Sequence, residues 1–370
     1  EAAVSESAQT PAPTAEPAAA AFTPGTYTGT GTSIGGTVTI DVTFDETSLV
    51  SASWTLMSDT RNVFQQAFDS ITTAAISAQT LDLDTVSGAT YSSLAIITAL
   101  KDAAGQANAL EALSANAKYV PAKTDYDTAA DVVVIGSGLS GMVSALTAQE
   151  AGAKVTVIEK LDIIGGSSGL SEGSIAGSTN ADDNARILPN LEVVSEFLPT
   201  KYALNTDKIT STANALAEAH TWLYTALSEG GMAEEGECVL VPYTANFYVG
   251  ENVDKSVNTD DDRWNLIATG IFPMKANSYH GADYMIKLLA KRFTDNGGTI
   301  YAATTATKLI TNGDGAVTGV EAETDGGTVT FDAGAVVLAC GGSGRNTDNL
   351  IERDRGDETY ACIGATGDAL

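Results

Sequence analysis

Two short segments of this chain carry residues whose types and spacing could hold a phosphorylated cofactor. The first is the run DTVSGAT at 84–90, which stands directly before a segment with helical periodicity. Gly88 and Ala89 are small and leave the Thr90 hydroxyl uncrowded, while the N-terminus of the next helix offers unpaired N–H groups to a phosphate. Taken alone, the same residues also fit an ordinary turn followed by a helix N-cap.

The second segment is the glycine-rich run GSGLSG at 136–141, which follows an apolar strand and opens a helix. Gly136 permits the tight turn, Gly138 lets the backbone approach a pyrophosphate, and Gly141 allows the helix to pack on the strand. Glu159 ends the next predicted strand about 20 residues later, where its carboxylate can accept hydrogen bonds from both ribose hydroxyls and repel a 2′-phosphate. The run therefore predicts a dinucleotide-binding βαβ unit, for NAD or for FAD.

The elements around the first segment predict an α+β domain. Alternating β-formers with glycine turns over 22–44 predict hairpin strands, and a further strand-like run covers 50–57. Helical periodicity follows at 62–78 and 91–104. We expect this domain to cover residues 22–115, and residues 116–130, which contain a proline and mixed charge without periodicity, to form a linker.

The elements around the second segment predict an α/β Rossmann-like domain with a parallel sheet and an antiparallel β-meander, over residues 131–370. Its βαβ unit consists of a strand at 131–135, a helix at 142–151 and a strand at 154–159. The later elements are helices at 206–228 and 282–295, meander strands at 299–310, 317–324 and 328–331, and an apolar strand at 335–339.

Composition excludes several classes of partner. Lys and Arg total 19 against 47 Asp and Glu, a formal net charge of −28. This charge repels nucleic acid and anionic lipid and otherwise fits a solvated surface.

The three cysteines, Cys238, Cys340 and Cys362, show no CxxC spacing, and the chain has only two histidines, His220 and His280, that could join them in a metal site. We therefore expect no metal site and no disulfide framework.

The region from GTYTGT at 25–30 to TVSGATYSS at 85–93 resembles the covalent FMN-binding domain of bacterial respiratory flavoproteins. The signature of that family is Asp, two residues, Ser or Thr, and then Gly-Ala-Thr. Asp84 and Ser87 match its recognition positions, and Gly88 and Ala89 complete the motif. In that family a dedicated extracytoplasmic flavin transferase esterifies the final Thr to the FMN phosphate, and Thr90 occupies this position.

Residues 131–370 resemble the fumarate reductase and succinate dehydrogenase flavoproteins, especially their flavocytochrome-like and urocanate-reductase-like branch. Three later motifs carry the resemblance and favour FAD: GGSS at 165–168, ACGG at 339–342 and GATGD at 364–368. The chain departs from the family pattern at Ser167, where Asn is usual, at Cys340, where Thr is usual, and at Ala369, where Gly is usual. The FAD-binding positions that the resemblance implies are Gly136, Gly138, Gly141, Glu159, Lys160, Gly165, Gly166, Ser167, Gly341, Gly342, Gly367 and Asp368.

In that family, electrons pass from a quinol dehydrogenase or cytochrome through the FMN domain to FAD, whose N5 delivers hydride to the C=C bond of an unsaturated acid. The resemblance therefore implies an extracytoplasmic reductase for a small carboxylic acid of the fumarate, urocanate or acrylate type. The family's catalytic residues follow the Gly-Asp signature, which here stands at 367–368, two residues before the last residue given. We assign no catalytic residue and expect a C-terminally truncated part of a longer protein.

The sequence leaves two other functions open. One is an electron-carrying flavoprotein without a substrate of its own, and the other is a flavin dehydrogenase of the ketosteroid-dehydrogenase type. The second shares the FAD fingerprint but lacks a covalent FMN domain, so the run at 84–90 speaks against it.

The first 21 residues consist mainly of Ala, Glu, Ser, Thr and Pro, a composition that cannot bury enough apolar surface to order itself. We expect a disordered linker that resembles the stalk behind a removed signal peptide or a lipid-anchored cysteine. The predicted location is extracytoplasmic, at the cell surface or in the periplasm, with a lipid anchor as one means of membrane attachment.

Overall fold

The computed structural model of the chain describes residues 22–171, 175–176, 206–229, 238–246, 265–273 and 282–342. These residues form two compact units. The first contains described residues up to Ser58 together with Phe68–Thr85 and Tyr91–Val120, and the second contains Asp59–Ala67, Val86–Thr90 and the described residues from Pro121 onward.

The first unit contains a three-stranded antiparallel sheet. Its strands are β1 (Gly25–Ser33), β2 (Gly36–Phe44) and β3 (Leu49–Met57), in the order β1-β2-β3. The hairpin predicted from the glycine turns is confirmed, with Ser33 paired to Gly36 beside the turn. On β2 every second residue from Val38 to Phe44 is buried, because successive side chains point to opposite faces of a strand.

Three helices follow these strands along the chain: α1 (Arg61–Ala78), α2 (Thr90–Gln106) and the short α3 (Leu110–Ala115). Helix α2 packs against β1, which is an edge strand. Asp102 Oδ2 accepts the Thr30 N–H at 2.9 Å, and Gln106 Nε2 donates to the Thr28 carbonyl oxygen at 2.8 Å. Side chains of α2 thus satisfy backbone groups that an edge strand would otherwise leave unpaired.

The second unit contains two sheets. Its strands, in chain order, are β4 (Ala129–Ile135), β5 (Val155–Ile158), β6 (Ile175–Ala176), β7 (Cys238–Asn246), β8 (Asn265–Pro273), β9 (Thr299–Tyr301), β10 (Thr305–Thr311), β11 (Val317–Thr324) and β12 (Gly327–Leu338). The larger sheet has the order β10-β11-β12-β4-β5-β9, and the smaller has the order β6-β8-β7. Strands β12, β4, β5 and β9 run parallel, whereas β10, β11 and β12 are antiparallel. The expected combination of a parallel sheet with a β-meander is therefore confirmed.

The structure corrects two strand assignments in this sheet. The single strand expected over 299–310 is two strands, because the chain turns at Ala303 (φ +48°) and β9 pairs with β5 while β10 pairs with β11. The two strands expected at 328–331 and 335–339 are one strand, β12. Its first half pairs with β11 and its second half pairs with β4. The alternating pattern of 328–331 gives way to the apolar run of 335–339 where the pairing partner changes from β11 to β4, although the backbone remains extended.

Three helices accompany the parallel strands: α4 (Leu139–Glu150), α5 (Thr206–Glu229) and α6 (Ala282–Asp295). They share one apolar core with β4 and β5, which includes Leu146, Val157, Leu227, Leu289 and Phe293. Across the described ranges, no helix combines the length and apolarity that a bilayer crossing requires.

Candidate functional site

The turn between β4 and α4 has a geometry that glycine alone satisfies at two positions. Gly136 has φ +105°, and a Cβ atom there would lie 2.4 Å from the Ala339 carbonyl oxygen. A Cβ at Gly141 would lie 1.9 Å from the carbonyl oxygen of Gly136 itself. This is the geometry of a tight turn followed by close packing of helix on strand.

Gly138 differs from these two glycines because space beside it is open. Its backbone is extended, and the nearest atoms to an added Cβ are Ser168 Oγ at 3.4 Å and the Gly165 carbonyl oxygen at 3.7 Å. The N–H of Leu139, the first residue of α4, donates to Ser168 Oγ at 3.2 Å. A bare backbone at the start of a 12-residue helix is suited to a pyrophosphate, since the first N–H groups of a helix lack intrahelical acceptors.

Glu159 follows β5 and its side chain is buried, with 6% of the residue exposed. Its Oε2 accepts two hydrogen bonds from Ser137, from the N–H at 2.9 Å and from the hydroxyl at 2.7 Å, and its Oε1 accepts the Leu161 N–H at 3.1 Å. The Ser137 hydroxyl in turn accepts the N–H of Gly165 at 3.1 Å. Sequence reasoning did not single out Ser137, although a hydroxyl inside the fingerprint was visible.

These contacts join residues that the sequence placed in separate motifs. The fingerprint glycines, Glu159 and the glycine pair of the 165–168 loop meet around Ser137. Gly165 (φ +112°) and Gly166 (φ +49°) adopt the left-handed conformation that favours glycine. The arrangement fits the adenosine diphosphate part of FAD: a bare backbone turn, a helix N-terminus and a buried carboxylate.

The other residues predicted to bind FAD differ in their exposure and in their place in the fold. Lys160 is exposed beside Glu159, and Ser167 is half-buried before a short 3-10 helix at Ser168–Leu170. Gly341 (φ +79°) and Gly342 are exposed and follow β12. The last two predicted positions, Gly367 and Asp368, lie outside the described residues.

Thr90 is the first residue of α2 and is exposed. The turn before it depends on Gly88, which has φ +86°, and on Ala89, which is buried and donates its N–H to the Val86 carbonyl oxygen at 3.0 Å. The N–H of Ser87 donates to the carboxylate of Asp162. An exposed threonine hydroxyl at the start of a 17-residue helix is accessible to another protein and lies at the positive end of the helix dipole.

Asp84, six residues before Thr90, forms an exposed ion pair with Lys118, whose Nζ lies 2.6 Å from Asp84 Oδ1. The hydrogen bond from Lys118 to Asp84 raises the pKa of the lysine above its usual value. Lys118 is therefore charged at neutral pH. The pair connects the start of the 84–90 run to the segment after α3.

Within the described ranges, no group of three His, Cys, Asp or Glu side chains could hold a metal ion. Cys340 is half-buried, and its thiol donates to the Ile135 carbonyl oxygen at 3.7 Å, while His280 and Cys362 lie outside those ranges.

Two family models match this chain. One is described as FAD binding domain and matches residues 131–370, and the other is described as FMN-binding domain and matches residues 34–105. The two matches follow each other along the chain without overlap.

Curated relatives align with this chain over different lengths. The chain is 29% identical over 342 residues to a urocanate reductase of Eggerthella lenta, an alignment that covers 90% of this chain and 52% of that protein. It is 31% identical over 149 residues to an NADH:acrylate oxidoreductase of Vibrio harveyi, covering 39% of this chain and 15% of that protein. The chain thus spans about half the length of the urocanate reductase.

Among solved structures, a 3-ketosteroid-Δ4-(5α)-dehydrogenase from Rhodococcus jostii RHA1 aligns with a TM-score of 0.45 at 21% identity, covering 60% of this chain and 48% of that one. This similarity is too low to support an inference about the present chain.

Proposed function

This chain belongs to the FAD binding domain family, and from that membership we propose that it is part of an extracytoplasmic reductase with two flavins. Thr90 would hold FMN and the 136–141 turn would hold FAD, and the two flavins would supply electron transfer and hydride delivery to the C=C bond of an unsaturated carboxylate. One observation carries the proposal: a single chain contains an FMN-binding match with an exposed threonine at its signature position, followed by an FAD-binding match with a buried carboxylate after β5.

The residues of the second unit hold and orient the dinucleotide. The first turn of α4 donates backbone N–H groups to the pyrophosphate, which Gly138 can approach because it lacks a side chain. Glu159 accepts from the adenosine ribose. When bound, FAD supplies the hydride chemistry, and the protein supplies position and electrostatics.

Thr90 holds the second flavin through a phosphoester bond between its Oγ1 and the FMN phosphate. The exposed hydroxyl, the Gly88 turn and the start of α2 support this assignment, as does the signature ending at Thr90. A flavin transferase is the partner that would form the bond, in a transfer in which the Thr90 hydroxyl loses its proton and the flavin donor loses the group attached to its phosphate. A quinol dehydrogenase or a cytochrome is the partner that supplies electrons.

The substrate class is supported by the names of two relatives, a urocanate reductase and an NADH:acrylate oxidoreductase. Urocanate and acrylate both contain a C=C bond conjugated to a carboxylate. We therefore propose a small unsaturated carboxylic acid as the substrate of the full-length protein. The test is to express that protein with a flavin transferase, supply a reduced viologen dye, and screen fumarate, urocanate, acrylate, cinnamate and crotonate.

Substrate-dependent oxidation of the dye by the parent, lost in a Thr90→Val Glu159→Ala double variant, is expected. A protein that takes electrons from the dye and reduces none of these acids would instead be an electron carrier without a substrate of its own.

The proposed extracytoplasmic location is supported by the composition of the first 21 residues and by the compartment in which flavin transferases of the family act. Fractionation of cells, followed by protease treatment of intact cells, tests it. Recovery of the flavinylated protein in a protease-protected cytosolic fraction would contradict the proposed location.

A further inference from the structure

Gln66 of α1 forms two hydrogen bonds with the backbone of Ile164. Its Oε1 accepts the Ile164 N–H at 2.8 Å, and its Nε2 donates to the Ile164 carbonyl oxygen at 3.0 Å. Both residues belong to the second unit, although Gln66 lies within residues 34–105, which match the FMN-binding domain, and Ile164 within residues 131–370, which match the FAD binding domain. One side chain thus satisfies both polar backbone groups of a residue 98 positions away.

Ile164 stands directly before the glycine pair that is predicted to bind FAD. The next N–H along the chain, that of Gly165, donates to the Ser137 hydroxyl at 3.1 Å, and both Gly165 and Gly166 have positive φ angles. Glycine has a wide choice of backbone conformations, so a glycine pair depends on neighbouring contacts for one fixed path. Gln66 provides such a contact at the residue where the pair begins.

The 161–164 loop receives a second contact of this kind, from the turn before Thr90. The N–H of Ser87 donates to the carboxylate of Asp162, and these two residues also belong to the second unit. Gly88 packs on the same loop, since a Cβ atom there would lie 3.1 Å from a side-chain carbon of the loop. The backbone that leads to the glycine pair is therefore held at two places by residues from the earlier part of the chain.

We propose that Gln66 is a positioning residue for FAD, because it holds Ile164, and with it the glycine pair at 165–166, in the conformation that binds the dinucleotide. The inference rests on the proposed binding of FAD to the second unit. A loop that is ordered before its ligand arrives loses less conformational entropy on binding, which raises the affinity. By thermodynamic linkage, bound FAD must in turn stabilise the contact between Gln66 and Ile164.

The experiment uses the full-length protein, produced without a flavin transferase so that FAD is the only flavin titrated. Gln66→Met keeps the length and the packing of the side chain and removes both hydrogen bonds. The matched control is Gln79→Met, because Gln79 forms the same pair of hydrogen bonds with the backbone of Leu49, at 2.8 and 2.9 Å, within the first unit.

Two measurements are made on the parent and on both variants after removal of bound FAD. Isothermal titration calorimetry gives the dissociation constant for FAD. Hydrogen–deuterium exchange with and without FAD gives the protection of the Ile164 amide, which donates to Gln66.

Gln66→Met should bind FAD about tenfold more weakly than the parent, which is a usual size for the coupling between two sites. Gln79→Met should bind FAD like the parent, although it loses an equivalent pair of hydrogen bonds. In the parent, FAD should slow exchange at Ile164. The amide should exchange faster in Gln66→Met, with and without FAD.

Two results of the titration would overturn the proposal and leave the proposed function standing. One is an equal FAD affinity of Gln66→Met and the parent, and the other is an equal loss in Gln66→Met and Gln79→Met, which would indicate a general effect on stability. Exchange at Ile164 that FAD leaves unchanged in the parent would also overturn it, and this measurement needs no variant to fold. A parent that binds no FAD would contradict the proposed function as well.

Discussion

Gly31 on β1 faces Ala95 on α2 so closely that a Cβ atom on Gly31 would lie 2.0 Å from the Ala95 carbonyl oxygen. The neighbouring Gly29 faces Ala99 in the same way, at 1.9 Å. The glycines of β1 thus allow the helix that begins at Thr90 to lie directly on the strand. This packing sets the position of the helix N-terminus.

Gly31→Ala should lower the free energy of unfolding by about 1–3 kcal/mol or more, because backbone must move to accommodate the methyl group. Gly105→Ala is the matched control: it lies in α2 with the nearest atom to its added Cβ at 3.9 Å, and should stabilise the helix by about 0.5–1 kcal/mol. Urea denaturation followed by circular dichroism checks both. Equal stabilities of the two variants would contradict the close packing.

Thr90→Val should abolish covalent FMN in protein co-expressed with a flavin transferase, because valine lacks the hydroxyl that forms the phosphoester. Thr98→Val should retain the flavin, since Thr98 is also exposed on the same helix and its hydroxyl donates to the Leu94 carbonyl oxygen. Intact mass and in-gel fluorescence after denaturation measure the bound flavin. A covalent flavin in Thr90→Val would show that attachment occurs elsewhere.

Glu159→Ala should lower FAD affinity by about tenfold or more while leaving the covalent FMN content unchanged. The substitution removes the ribose acceptor and leaves the donors of Ser137 and Leu161 without their partner. FAD and FMN are quantified separately after acid precipitation. The exposed Glu323 provides the control Glu323→Ala, and FAD content equal in both variants would argue against this placement.

Arg292→Ala should destabilise the second unit by about 1–3 kcal/mol, because this partly buried guanidinium binds Glu229 at 2.5 Å and Glu150 at 3.1 Å and so joins three helices. Lys291→Ala should cost only about 0.3–0.5 kcal/mol, since Lys291 pairs with Asp295 within α6 at an exposed site. Chemical denaturation compares the two. If Lys291→Ala lowered the free energy of unfolding as much as Arg292→Ala, the ion pairs of Arg292 between helices would contribute no more than an exposed pair within one helix.

The pKa of Asp127 should lie below its usual value, because Lys154 donates a hydrogen bond to the carboxylate, with help from the Ala129 N–H. A lowered carboxyl pKa stabilises the folded state at pH values above the pKa that the group has in the unfolded chain. This contribution is lost as the pH falls through the pKa of the folded state, which lies below 3.8. Carboxyl carbon NMR titration should show the pKa of Asp127 rise in Lys154→Ala.

Asp45 is the internal control for that titration. The pKa of Asp45 is lowered mainly by a hydrogen bond from the backbone N–H of Thr47, which Lys154→Ala does not touch. A shift of both carboxyls by the same amount would indicate a general effect of net charge and not loss of the Lys154 contact.

Local patterns in the sequence were sufficient for most elements of this protein. The glycine turns and alternating residues of 22–44 predicted the β1–β2 hairpin, and the apolar run at 131–135 with the GSGLSG turn predicted the βαβ unit that the structure contains. These predictions succeeded because each depends on residues only a few positions apart, whose conformational preferences and periodicity are local.

Contacts between distant residues could not be obtained in this way. No local pattern shows that the Ser137 hydroxyl lies between Glu159 and Gly165, or that the strand expected over 299–310 must divide between β5 and β11. The sequence by itself determined the two flavin-binding motifs and their order along the chain. Only the tertiary structure decided which donors reach the Glu159 carboxylate, because the fold brings Ser137 beside a residue 22 positions away in the chain.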